Sequence, residues 1–148
     1  MDNSERKKII GYTAGVYDMF HVGHLNILRK AKELCDYLIV GVNSDEATYK
    51  YKKKYPIIPQ KERMEIVEAI RYVDRVVSVD NTDKIYAFEK YKYDIIFVGN
   101  DHESEAVWHE IDIHLREYGA RVLYIPYTEH ISSSKLSVVI SKLLFSSE

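Results

Sequence analysis

His21 and His24 flank Gly23 in the segment Gly15-Val-Tyr-Asp-Met-Phe-His-Val-Gly-His24. No other side chains in this chain are as well suited to chemistry. They follow an apolar run from Ile9 to Thr13 and open a helix-like run from Leu25 to Leu34. The free N–H groups and positive dipole end of a helix N-terminus favour anions. A glycine lets the backbone approach a ligand closely. Imidazoles can donate hydrogen bonds to phosphoryl oxygens whose charge grows during transfer. A bare His-x-Gly-His reads as two histidines capping a surface turn. The strand before it and the helix after it favour a polyphosphate site instead.

A second group of chemical interest is Ser132-Ser133-Ser134-Lys135. Serine is a preferred helix N-cap, and the same geometry binds phosphate through free N–H groups and hydroxyls. The basic run Lys50-Tyr-Lys-Lys-Lys-Tyr55 reads by itself as a solvated loop, or as a nucleic-acid patch of alternating lysine and aromatic residues. Its place on the sheet edge of the histidine motif favours a lid that neutralises polyphosphate. Arg63 follows Pro56 and Pro59 in a helix beginning at Gln60. It reads equally as a fork onto a phosphate or as a surface partner of Glu62 or Glu65. His109 and His114 are five apart, off the spacing of a helical metal pair, so no metal site is expected. His102, after Asn100-Asp101, is placed to line a pocket. Tyr86, Tyr91 and Tyr93 could form an aromatic acceptor pocket, with packing as the default.

The elements that must position these residues alternate. Strand-like runs are Ile9 to Thr13, Tyr37 to Val42, Arg75 to Val79, Asp94 to Val98 and Arg121 to Ile125. They are short, apolar and largely β-branched or aromatic, as strands covered on both faces are. Helical patterns lie between them: Leu25, Leu28, Ala31 and Leu34 share one face, as do Val107, Ile111, His114 and Leu115. Gly119 is a C-terminal stop for the second. The pattern predicts one α/β domain over residues 1–148, Rossmann-like, with about five parallel strands and helices on both faces. Ligands in such sheets bind beyond the carboxyl ends of the strands. Gly15 to His24, Asn43-Ser44-Asp45, Gly99 to His102 and Pro126 to Lys135 all follow strands.

Three segments together resemble the cytidylyltransferases of the wider nucleotidyltransferase superfamily. They are the histidine motif, Arg71-Tyr-Val-Asp74, and Thr128-Glu-His-Ile-Ser-Ser-Ser-Lys135. The resemblance runs from about Lys8 to Leu144, nearest to bacterial glycerol-3-phosphate cytidylyltransferases. It implies transfer from CTP to a small phosphomonoester, with release of pyrophosphate. Its implied catalytic residues are His21, His24 and Lys52. Nucleotide contacts fall to Val16, Tyr17, Gly23, Lys54, Asp101, Tyr127, Thr128, Ser132, Ser133 and Ser134, with the two histidines. Acceptor contacts fall to Lys52, Arg63 and Lys84. Mg²⁺ is implied with the triphosphate, with few protein ligands, and so is a homodimer with Arg71 to Asp74 near its contact. Tyr127 stands where the family carries arginine and His130 where it carries glycine. Protonated His130 is the nearest substitute for the missing charge.

Composition fits a compact enzyme. A net charge of −2 over 148 residues argues against a general nucleic-acid binder. The single cysteine, Cys35, excludes an internal disulfide and reads as a small buried hydrophobe. Residues Met1 to Lys8 are polar with no signal-peptide h-region after them, and no apolar run nears membrane-spanning length, so a cytoplasmic protein without a membrane segment is expected. Alternatives for the acceptor are phosphocholine, phosphoethanolamine or a sugar phosphate. Val42-Asn43-Ser44-Asp45 resembles the heptose branch. ATP is the alternative nucleotide, as in adenylyltransferases acting on a sugar phosphate or on FMN. Outside enzymes, the alternative is a nucleotide-binding regulatory module, with Tyr127 as its lesion.

Overall fold

The computed structural model describes residues 6–126 and 132–145. Five strands form one parallel sheet: β1 (Ile10–Gly15), β2 (Tyr37–Asn43), β3 (Arg75–Val79), β4 (Ile95–Gly99) and β5 (Arg121–Ile125). Their order is β3-β2-β1-β4-β5. Every neighbouring pair is parallel. The helices are α1 (Val22–Glu33), α2 (Asp45–Lys52), α3 (Gln60–Glu68), α4 (Lys84–Tyr91), α5 (Ala106–Arg116) and α6 (Ser133–Phe145). This is the single Rossmann-like α/β domain that the alternating pattern predicts.

The pleat divides each strand between two cores. Leu38, Val40 and Val42 of β2, with Phe97 of β4, pack against Leu28 and Ala31 of α1 and Val67 of α3. Ile39 of β2 and Ile96 of β4 face the other way, against Ala87 of α4 and Leu115 of α5. Helices therefore cover both faces, and continuous apolar strands follow from that double burial. Cys35 packs on the first core. A Cβ on Gly11 would come within 2.7 Å of its Sγ, so the close approach needs glycine there.

Three local expectations change. The helical face of α5 is Trp108, Ile111 and Leu115, whereas Val107 is 55% exposed and His114 is exposed. The basic run is not wholly a loop: α2 extends through Lys52, and Lys53 ends it in the left-handed region at φ 61°. Tyr93 is buried, with rings of Tyr12 and Tyr93 stacked at 5.2 Å. Tyr91 stacks on the same Tyr12 at 5.7 Å, and Tyr86 is exposed. Gly119, at φ 81°, does stop α5: Gly119 N–H donates to Arg116 O and Ala120 N–H to Leu115 O.

The sheet positions the site through uneven pairing. β1 pairs with β2 over six residues, Ile10 to Gly15. It pairs with β4 only at Gly11 and Tyr12. Beyond them the Thr13 hydroxyl still donates to Phe97 O at 3.0 Å. Past that tie β1 and β4 diverge, at the point where strand order reverses, and a crevice opens beyond their carboxyl ends.

Candidate active site

A cleft of about 850 Å³ fills that crevice. The β1–α1 turn, Asn43, Lys52, the start of α4, the end of β4, the first turns of α5 and Ser132 to Ser134 all border it. Four segments distant in sequence thus meet on one sheet edge, as their places after strands predict.

The histidine motif is the first turn of α1. His21 is its N-cap, and its Nδ1 accepts the Gly23 N–H at 3.0 Å. Nδ1 of His24 accepts the His21 N–H at 3.2 Å. This reciprocal pair is a capping box built from two imidazoles. It fixes both tautomers. A nitrogen accepting from a backbone N–H carries no proton, so in each neutral ring the proton sits on Nε2. The rings stack with centroids 3.9 Å apart. Nε2 of His21 is buried with no hydrogen-bond partner among the described residues, and so is Oδ1 of Asn43 across the cleft. A buried donor without a partner is costly unless a ligand satisfies it.

The electrostatics agree with the tautomers. Burial, then His21 and Lys52, pull His24 down to about 3, and burial lowers His21. Both rings are therefore neutral at pH 7. Burial and Lys54 lower Lys52, while Asp18 opposes the shift. Lys52 borders the cleft, and Lys54 borders a smaller recess beside it with Asp18 and Tyr55. Lys53 borders neither.

The turn before α1 is strained: Tyr17 and Met19 hold φ values of 55° and 49°. Sequence reading missed what holds it. Asp18 accepts the Ile57 and Ile58 N–H groups at 2.8 and 2.9 Å. Its carbonyl accepts the Ser133 hydroxyl. Asp18 thus ties the turn to the segment after the lysines and to the start of α6. Its place in the Gly-x-Tyr-Asp-x-x-His run was the only signal.

Arg63 corrects an expectation. Expected on the acceptor's phosphate, or on Glu62 or Glu65, it is wholly buried. Its Nε donates to Ile58 O at 2.7 Å, its Nη1 to Val16 O at 2.6 Å and its Nη2 to Asp45 Oδ1 at 2.6 Å. The planar fork is spent on two carbonyls and a carboxylate, so Arg63 braces the turn beneath the site and does not border the cleft.

The other expected residues divide in two. Val16, Tyr17, Gly23, Lys84, Asp101 and Ser132 to Ser134 border the cleft, with His102. Ser132 caps α6 by accepting the Lys135 N–H at 3.0 Å, as its residue type predicts. Tyr127, Thr128 and His130 lie outside the described residues. Lys84 starts α4, where Asp83 is N-cap and the Tyr93 hydroxyl donates to Lys84 O at 2.9 Å. Burial pulls its ammonium below the usual lysine value, against Asp83. Among the described residues no group of three or more His, Cys, Asp and Glu could hold a metal ion. No described helix is long and apolar enough to cross a membrane.

The arrangement presents two neutral N–H donors at the N-terminus of α1, with Lys52 bordering the same cleft. It suits a phosphoryl group that gains charge in a transition state. A cytidylyltransferase-like family model matches residues 12–139. The chain belongs to that family. It is a nucleotidyltransferase, similar to a Thermococcus kodakarensis FAD synthase at 36% identity over 143 residues, covering 95% of each chain. A Staphylococcus aureus glycerol-3-phosphate cytidylyltransferase is 36% identical over 132 residues, 88% of this chain and 92% of that one. The crystal structure of a lipopolysaccharide core biosynthesis protein from Thermoplasma volcanium matches with a TM-score of 0.69. It is 26% identical and covers 84% of this chain and 100% of that one.

Proposed function

We propose that this protein transfers the adenylyl group of ATP to FMN, giving FAD and pyrophosphate. The carrying observation is the make-up of the cleft. Its lining combines the phosphate-suited histidine turn with an apolar patch on α5, made of Val107, Trp108 and Ile111. Glycerol 3-phosphate has almost no apolar surface to bury there, whereas the ring of FMN buries a large area. Similarity to FAD synthases along nearly the whole chain supports the same reading. The expected pair of CTP and glycerol 3-phosphate is therefore the second reading. It is favoured by the equally identical Staphylococcus relative.

In this mechanism an oxygen of the FMN phosphate attacks the α-phosphorus of ATP in line. A new P–O bond forms as the bond to the β-phosphate oxygen breaks, and pyrophosphate leaves. A phosphomonoester is already nucleophilic, so catalysis is positioning and charge stabilisation. The Nε2–H groups of His21 and His24 donate to α-phosphate oxygens. Neutral donors do this without the cost of a second cation beside Lys52. Lys52 and Lys54 neutralise the reacting phosphates, and the capped start of α6 holds the outer ones. Mg²⁺ suits this donor set only as a partner of the triphosphate oxygens, since the described residues offer no protein cage. Bound there, it would neutralise charge on the leaving pyrophosphate. A homodimer and a cytoplasmic location belong to the same proposal, and sedimentation at micromolar protein reads the former.

The experiment is purified protein with Mg²⁺, ATP or CTP, and FMN or glycerol 3-phosphate. Pyrophosphate and products are resolved by chromatography. FAD from ATP and FMN is expected. CDP-glycerol without any FAD establishes the second reading, and binding without turnover across the panel establishes a regulatory module.

A further inference from the structure

Where α4 and α5 border the cleft, the structure contains a built arrangement that neither the motifs nor the relatives' names assign. Trp108 is the sole tryptophan of the chain, and it lies on the first turns of α5, partly buried and lining the cleft. The Lys84 ammonium stands over its indole face, 5.9 Å from the ring centroid. The His102 ring lies 6.2 Å from the same indole. His102 is itself held by Glu105 at 2.5 Å. Lys84 has little freedom in its backbone, because Asp83 and the Tyr93 hydroxyl pin the start of α4.

Resting on the FMN reading above, we propose that Trp108 and Lys84 bind the acceptor's flavin ring: the ring packs face to face on the indole, and the ammonium that stands over that indole in the free protein swings aside to meet the ring's carbonyl edge. The physical reasons are complementary. A planar conjugated ring gains most from an aromatic face, because stacking adds to the area buried. Lys84 supplies three donors and no acceptor, and the pyrimidine edge of a flavin supplies carbonyl and ring-nitrogen acceptors. Phosphate-suited groups in the same cleft are already supplied by the histidine turn, Lys52 and the start of α6. Lys84 thus takes the polar edge of the ring. The family resemblance alone implied only a generic acceptor contact for it.

The test uses binding as well as turnover. In wild type, FMN and riboflavin are expected to quench Trp108 emission saturably, and glycerol 3-phosphate is not. With one tryptophan the signal has a single source. Trp108→Leu is expected to raise the Kd of both flavins by about tenfold, as lost stacking implies. Its KM for ATP is expected to stay unchanged, and Trp108→Phe to recover most of the loss. Lys84→Met is expected to weaken riboflavin and FMN by the same factor, since riboflavin has the ring but no phosphate. Weakening of FMN alone would overturn the Lys84 assignment. FAD synthesis by wild type with unchanged FMN and riboflavin affinity in Trp108→Leu would overturn the ring site while leaving the FMN reading intact. Absence of both FAD synthesis and flavin quenching in wild type removes the two together. If Trp108→Leu does not fold, the wild-type quenching and the Trp108→Phe affinities still decide.

Discussion

Nδ1 of His24 accepts the backbone N–H of His21 at 3.2 Å, so the second histidine of the motif holds the first in its capping position. Structure and chemistry share these two side chains: the inner nitrogens cap α1, and the outer ones are left to donate. The roles separate by substitution. His21→Asn keeps a preferred N-cap residue but removes the outer donor. It is expected to keep the wild-type melting temperature within a few degrees and to lose about 10²–10³ in kcat, the usual cost of one preorganised donor. His21→Ala is expected to lose the same activity and, in addition, about 1 kcal/mol of stability. Near-wild-type turnover in a folded His21→Asn protein would remove the catalytic role.

The same cap predicts an acid limb in stability. His24 is held down to about 3 in the folded protein by burial, His21 and Lys52, against an ordinary value near 6.5. Between those values the unfolded chain binds a proton that the folded chain refuses. Stability is therefore whole above about pH 6.5 and falls as pH drops towards 3, by at most about 1.4 kcal/mol per pH unit from this group. Thermal unfolding followed from pH 7 to pH 4 checks it. The slope is expected to be shallower in His24→Asn, and parallel curves would show that His24 is not the source.

How much of this was legible in the sequence depends on the range of the interaction. All five strands form within one or two residues of their apolar runs, because double burial makes each run self-announcing. The convergence of four post-strand segments on one cleft follows from topology alone. Arg63 was not legible. Its helix Gln-Lys-Glu-Arg looks like a solvated surface, and its acceptors Val16 and Asp45 are 47 and 18 residues away. Asp18 was hidden likewise, since it serves amides 39 and 40 residues on. Trp108 sits on an ordinary amphipathic helix, and only the packing of α4 beside α5 puts a lysine over it.

Arg63 yields a prediction opposite to that for a substrate contact. A guanidinium with no exposure that satisfies two carbonyls and Asp45 leaves unpaired buried acceptors when removed. Arg63→Met is expected to cost more than about 2 kcal/mol in urea unfolding. Arg63→Lys is expected to recover little of it, because an ammonium does not reproduce the planar fork. A rise in acceptor KM with unchanged stability would restore the phosphate-binding role.

Asp18 makes the last argument, about closure. Its carboxylate holds the Ile57 and Ile58 amides, just beyond Lys54 and Tyr55, which border the recess beside the cleft. Ile57 is 59% exposed, so little apolar burial at that residue helps to hold the segment in place. Asp18→Asn leaves one acceptor oxygen where there were two, and that oxygen is neutral. The segment is then expected to open more often while the sheet stays intact. Amide hydrogen exchange reads this directly. Ile57 and Ile58 are expected to exchange at least tenfold faster in Asp18→Asn, with β1 and β2 amides unchanged. Because Lys52 and Lys54 lie on the chain just before this latch, triphosphate KM is expected to rise by several-fold, with a smaller change in kcat. Unaltered exchange at Ile57 and Ile58 would show that the segment holds its place without Asp18.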